Sequence, residues 1–122
     1  MNHMSEPLYR IWDIRNKYYI SNKDFFVNLN GNVGHLRSYQ KDEYYIIQRC
    51  TGEQDVNGKY IYEGDIVETH PNVVSSIQAI VNFNTGNFVI EDLQGYEELT
   101  FEDTLTIIGN NLENPELLLG KD

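Results

Sequence analysis

The sequence predicts a mostly β protein, with a β-rich N-terminal part over residues 1–50, an SH3-like barrel over residues 51–122 ending in a short tail, and little helix. Three observations lead there. Apolar residues fall in short β-branched and aromatic runs, and long amphipathic helices are not evident. The runs are separated by turn signals, at Asn30-Gly31, Asn57-Gly58, Glu63-Gly64-Asp65 and Asn84-Thr85-Gly86. Aromatic residues make up 12% of the chain and nine of them are Tyr, large rings with a polar tip that suit thin cores and interfaces.

From Leu8 to Ile20, two β-prone stretches flank the polar Arg15-Asn16-Lys17, which reads as a hairpin. Asp24 to Leu29 is a further strand, turned by Asn30-Gly31-Asn32 into a return strand from Val33 to Leu36. Tyr44 to Cys50 is continuously apolar at its start, so burial on both faces is expected there. Gly52, Gly58 and Gly64 punctuate the next segment, and Glu63-Gly64-Asp65 turns the chain into a strand from Ile66 to Thr69. Ile77 to Phe83 and Asn87 to Leu93 form a second clear hairpin around Asn84-Thr85-Gly86. Gly95 to Thr104 is acidic and fits a loop, a short strand or a helical turn. Leu105 to Ile108 supplies a last strand stopped by Gly109-Asn110-Asn111, and the tail makes one helical turn with Pro115 at its first position.

A length of 122 residues fits one ordinary domain, or a compact domain with an added subdomain, and excludes two large independent domains. The net charge of −10 is unevenly spread. Residues 1–50 carry seven Lys/Arg and five Asp/Glu, giving +2, whereas residues 51–122 carry two Lys/Arg and fourteen Asp/Glu, giving −12. The acidic half is therefore a poor phosphate binder. The longest apolar runs are far shorter than the roughly 20 residues a membrane helix needs, so no membrane association is expected. Met1 to Pro7 lacks a basic start and an apolar stretch, so no secretory leader is expected either. The single Cys50 cannot form an internal disulfide and agrees with a cytoplasmic location in a bacterial host cell.

Three blocks carry a family resemblance: Tyr9-Arg10-Ile11-Trp12-Asp13; Thr51-Gly52 followed by Asp55-Val56-Asn57-Gly58-Lys59-Tyr60-Ile61-Tyr62-Glu63-Gly64-Asp65-Ile66-Val67; and Ile107-Ile108-Gly109-Asn110 with Glu113-Asn114-Pro115-Glu116-Leu117-Leu118. In this order and over nearly the whole chain, the blocks resemble the YopX family. The chain departs from the family's pattern at Asn111-Leu112, where an aliphatic-aromatic pair is more usual. The resemblance implies a phage or prophage protein with a β-rich N-terminal part and a barrel-like C-terminal part. It implies no catalytic or binding residues.

No enzymatic constellation emerges, and neither a catalytic residue, a metal nor a cofactor is expected. Asp55-Val56-Asn57-Gly58 has its glycine at the fourth position of the loop, not at the sixth that an EF-hand requires. His3, His35 and His70 are widely separated and none has ligand spacing to another His or to Cys50. The paired carboxylates Glu63/Asp65 and Glu91/Asp92 are what chance provides among nineteen acids. The leading expectation is thus a non-enzymatic accessory protein acting through protein–protein contacts, with further copies of itself or a bacterial host protein as partners. Its partner surface would be an acidic face around Glu91, Asp92, Glu97, Glu98, Glu102 and Asp103. A rival reading is nucleic-acid binding by the first hairpin, whose Arg10, Trp12, Arg15, Lys17, Tyr18 and Tyr19 combine cations with stacking rings. A third is an acidic inhibitor that imitates DNA.

Overall fold

The computed structural model describes residues 9–20, 25–27, 33–35, 44–69, 76–95 and 98–119. The chain is mostly β, and its strand pairs are antiparallel. Contacts divide it into two compact units, Met1–Arg49 and Cys50–Asp122.

In the first unit, β1 (Tyr9–Asp13) pairs with β2 (Tyr18–Ile20), with Trp12 opposite Tyr19 and Asp13 opposite Tyr18. On its other side β1 meets the first half of β5 (Tyr45–Gln54), placing Arg10 opposite Gln48 and Trp12 opposite Ile46. Asp13 makes the β1–β2 connection. Its Oδ1 accepts the N–H groups of Arg15 and Asn16 at 2.9 and 3.0 Å, and its Oδ2 accepts from Asn16 Nδ2 at 2.9 Å. Lys17 then closes the loop, donating to the Asp13 carbonyl at 2.8 Å with a φ of 61°. The second hairpin joins β3 (Phe25–Val27) to β4 (Val33–His35), and the expected Asn30-Gly31-Asn32 turn lies outside the described residues.

The expectation of two-faced burial in β5 is corrected. Ile46 is 37% exposed, whereas Gln48, a polar residue, is only 3% exposed. Ile46 and Gln48 are two residues apart and share one face of the strand, and burial on that face is concentrated at Gln48, where Arg10 and Tyr19 bond to its side chain. Near-continuous burial belongs instead to β7 (Asp65–Thr69), one of the strands hydrogen-bonded on both sides within the next sheet.

In the second unit, the second half of β5 pairs with β6 (Tyr60–Tyr62), Cys50 opposite Tyr62 and Gln54 opposite Tyr60. A five-stranded sheet follows, ordered β10-β9-β8-β7-β11, with β8 at Gln78–Asn84, β9 at Asn87–Asp92, β10 at Glu98–Leu99 and β11 at Leu105–Asn110. It curls as half of a barrel. Among the described residues its edge strands β10 and β11 are not paired with each other, so the ring expected of a closed barrel is left open. Val67, Ala79, Val81, Ile90 and Leu105 face Ile61 in one buried cluster, flanked by Phe88, Leu99, Phe101 and Ile107. Full burial of each such Val, Leu or Ile side chain stabilises by about 1.5–3 kcal/mol.

Gly109 does not stop β11. The strand bulges between Ile107 and Gly109, resumes its pairing with β7 at Gly109 and runs on to Asn110, and Asn114 reaches back beside Gly109, its Oδ1 accepting the Asn110 N–H at 3.1 Å. A Cβ on Gly109 would lie 2.6 Å from that same oxygen. The chain then ends its described course in a 3-10 turn, Pro115–Leu118, with proline in the first turn as the sequence predicts.

Candidate functional site

The basic, aromatic set of the first hairpin is split by the pleat. Arg10, Trp12 and Tyr19 share the face on which Gln48 is buried, because Arg10 stands opposite Gln48, Trp12 opposite Tyr19, and Arg10 and Trp12 are two residues apart on β1. Gln48 Oε1 accepts from Arg10 Nε and from the Tyr19 hydroxyl, both at 2.7 Å. The Arg10 guanidinium lies 4.7 Å above the Tyr19 ring, and Trp12 meets that ring edge-on at 5.0 Å. Tyr18 falls on the opposite face and is 52% exposed. Arg15 and Lys17 sit in the connecting turn, with the Arg15 guanidinium 4.3 Å above Tyr44. Base stacking needs an open ring face. Trp12 is 7% exposed and Tyr19 already carries Arg10, so these rings are engaged within the protein. Gln48 is the residue that organises this cluster, and a lone glutamine in an apolar strand was its only signal in the sequence.

Asp13, at the end of the same strand, titrates away from its ordinary value. Burial works to raise its pKa, but the hydrogen bonds from Asn16 and Arg15 and the Arg15 charge together hold it below the usual aspartate range.

The acidic set is likewise divided. Glu97 lies outside the described residues, and Glu98 pairs in register with Glu91. Two members hold turns. Asp92 Oδ1 accepts the Gln94 N–H at 2.9 Å, and Asp103 Oδ2 accepts the Thr100 N–H at 2.8 Å. Glu102, in the Thr100–Asp103 turn, is exposed, and its N–H donates to Thr100 Oγ1 at 3.2 Å. Glu91 is exposed on the outer face of β9, where it accepts from Asn82 Nδ2. Glu91 and Asp92 edge a groove of about 530 Å³ whose apolar lining includes Phe88, Ile90, Leu99 and Phe101. An apolar floor with a charged rim is the composition of a contact surface.

The carboxylates buried deeper in this unit are taken up by the backbone. Asp55, 7% exposed, accepts the N–H groups of Asn57 and Lys59 through Oδ1 at 2.9 and 3.0 Å, and that of Ile107 through Oδ2 at 3.1 Å. Asp65, 1% exposed, accepts the Tyr62 N–H at 2.7 Å. Asn110 Oδ1 accepts from Leu112 and Glu113 at 3.0 and 2.8 Å. Among the described residues, no group of three or more His, Cys, Asp or Glu side chains is disposed to hold a metal ion, and no helix is long and apolar enough to cross a membrane.

Residues 8–119 match the family model described as YopX protein. Two solved structures are similar over nearly their whole length. Protein EF1440 from Enterococcus faecalis is 27% identical over 90% of this chain and 96% of its own, with a TM-score of 0.65. Protein yopX from Bacillus subtilis is 24% identical over 93% of this chain and 97% of its own, with a TM-score of 0.60. No curated protein matches the chain.

Proposed function

The chain belongs to the YopX protein family, and we propose that it is a non-enzymatic accessory protein of phage or prophage origin that acts through protein–protein contacts and assembles with further copies of itself. The observation that carries this reading is how its acids are divided. Asp55 and Asp65 are buried as acceptors for backbone N–H groups, whereas Glu91 and Asp92 rim a groove with an aromatic lining. The first group holds the fold, and the second has the makings of an interface. The segregation of charge, +2 over residues 1–50 and −12 over residues 51–122, supports head-to-tail attraction between copies, since opposite potentials steer association.

Light scattering over a micromolar concentration series, at low salt and at high salt, tests the proposal. A mass above that of the monomer, rising with concentration and falling as salt screens the attraction, is the expected outcome. A monomer mass at every concentration and both salts removes the assembly.

A further inference from the structure

We propose that the β9 edge at Asn87–Val89 is a docking slot for one extended, cationic segment of a partner protein, which would join the five-stranded sheet in line with β10. This deepens the protein-contact reading and rests on it, by naming the surface and the chemistry of its occupant.

Hydrogen-bond parity locates the slot. Leu93 donates its N–H to the Gln78 carbonyl at 2.9 Å, so Gln78 and Leu93 form a hydrogen-bonded pair. Pairs alternate along an antiparallel ladder. Given the observed register, Ile80/Glu91, Asn82/Val89 and Asn84/Asn87 are then hydrogen-bonded pairs as well. Phe88, Ile90 and Asp92 therefore turn their N–H and C=O groups away from β8. Ile90 meets Leu99 of β10, and the Asp92 carbonyl accepts from Gly95 at 2.9 Å. Phe88 has no such neighbour among the described residues. The chain leaves β10 at Thr100, where a turn closes by the Thr100 N–H on Asp103 Oδ2 and the Asp103 N–H on the Thr100 carbonyl, at 2.8 and 3.1 Å.

The far edge of the same sheet is treated differently. On β11, the Leu105 carbonyl accepts the Val56 N–H at 2.9 Å and the Ile107 N–H donates to Asp55 at 3.1 Å, so the turn after β5 covers it. Sheet edges are sites of strand addition unless covered, bulged or charged. This sheet covers and bulges one edge and leaves a gap in the other, beside the groove that Phe88, Ile90, Leu99 and Phe101 line.

Geometry and charge specify the occupant. An incoming residue opposite Phe88 would exchange two backbone hydrogen bonds with it. Its side chain would lie on the face of Phe88 and Ile90, the core side of the sheet, and so must be apolar. The residues before and after it would lie on the face of Val89 and the exposed Glu91, where Lys or Arg would be complementary. The half of the chain that bears this edge carries −12, which favours a cationic partner over the same edge of a second copy.

The test uses the full chain labelled with nitrogen-15 and a capped Lys-Val-Lys-Val-Lys-Val peptide, followed by NMR at low salt. Shifts confined to residues 87–91 and 98–101, with slowed exchange of the Phe88 amide, are expected. Methylating the valine nitrogens of the peptide, those that face β9, should weaken binding about tenfold by deleting its donors. Glu91→Lys, an exposed change that leaves the amide dispersion intact, should weaken it by about fivefold or more. Absence of shifts at millimolar peptide, equal shifts with Glu in place of Lys, or unimpaired binding after methylation of the valine nitrogens would overturn the proposal. Concentration-dependent shifts at Phe88 without any peptide would assign the edge to a second copy and overturn it too. Because assembly is read separately by light scattering, a failed titration with assembly intact sinks the slot and not the protein-contact reading.

Discussion

Removing the Asp55 carboxylate deprives three backbone N–H groups of their acceptor at once: Asn57 and Lys59 in the turn after β5, and Ile107 on β11. A hydrogen bond to a charged acceptor contributes about 1.5–3 kcal/mol, and a buried donor left unsatisfied costs about 1–3 kcal/mol. Asn57 and Lys59 are exposed, so water replaces much of what they lose, and each counts for about 0.5–1 kcal/mol. Ile107 is half-buried on the strand edge and bears the larger penalty. Asp55→Ala should therefore destabilise by roughly 2–5 kcal/mol, a large share of the roughly 5–15 kcal/mol that holds a domain together. Asp55→Asn keeps one acceptor oxygen, for either the turn or β11, and should cost about half as much. Urea unfolding at neutral pH measures both values, and amide exchange locates them at Asn57, Lys59 and Ile107. An alanine variant within about 0.5 kcal/mol of the parent, or an asparagine variant as unstable as alanine, would refute the reasoning.

Three further outcomes follow from turns and close approaches. Thr85 holds a φ of 52° in the two-residue turn before Gly86, a left-handed conformation that strains a β-branched residue, so Thr85→Asn should stabilise by about 1 kcal/mol in the same urea assay. Gly109→Ala should lower the melting temperature through a loss of about 1–3 kcal/mol, because the new methyl would meet Asn114 Oδ1 at 2.6 Å. Asp13 has a folded pKa below its unfolded value, so its contribution is complete above the unfolded pKa of about 3.8 and disappears as pH falls through the folded one. The stability gap between the parent and Asp13→Ala should accordingly be constant near neutrality and close in acid, read as paired unfolding curves across pH.

The parts of the fold legible in the sequence are those fixed by local chemistry. The β8–β9 hairpin follows from two β-prone runs meeting at Thr85-Gly86, and the 3-10 turn follows from Pro115. The parts that escaped depend on what lies above a face or across a turn. The apolar run at Tyr44 to Ile47 suggests a strand covered on both sides, yet Ile46 is exposed and Gln48 takes the buried place, because Arg10 and Tyr19 satisfy its oxygen there. Gly109 looks like the end of a strand, yet β11 shifts register just before it and continues through it to Asn110, with Asn114, five residues on, reaching back beside it. Similarly, the acidic set reads as one face in the sequence, whereas Asp92 and Asp103 are bound into turns. The gap beside Phe88 was invisible for the same reason: it is set by where β10 ends, within a segment whose composition fits a loop, a strand or a helical turn.

The blocks that carry the family resemblance contain Asp13, Asp55, Asp65, Gly109, Asn110 and Asn114, and each acts on a turn or a close approach. Asp13, Asp55 and Asp65 accept backbone N–H groups, Asn110 and Asn114 bind each other's segments, and Gly109 makes room for Asn114. A signature built of such residues specifies how the chain turns and leaves its exposed edges unspecified. Phe88, Val89, Glu91 and Phe101 lie in none of those blocks, although together they shape the groove and the open edge. Proteins that share the turns are therefore free to differ at this edge. A common signature then predicts a common fold, while in the proposed slot the choice of partner would fall to a few side chains around a strand that the signature does not reach.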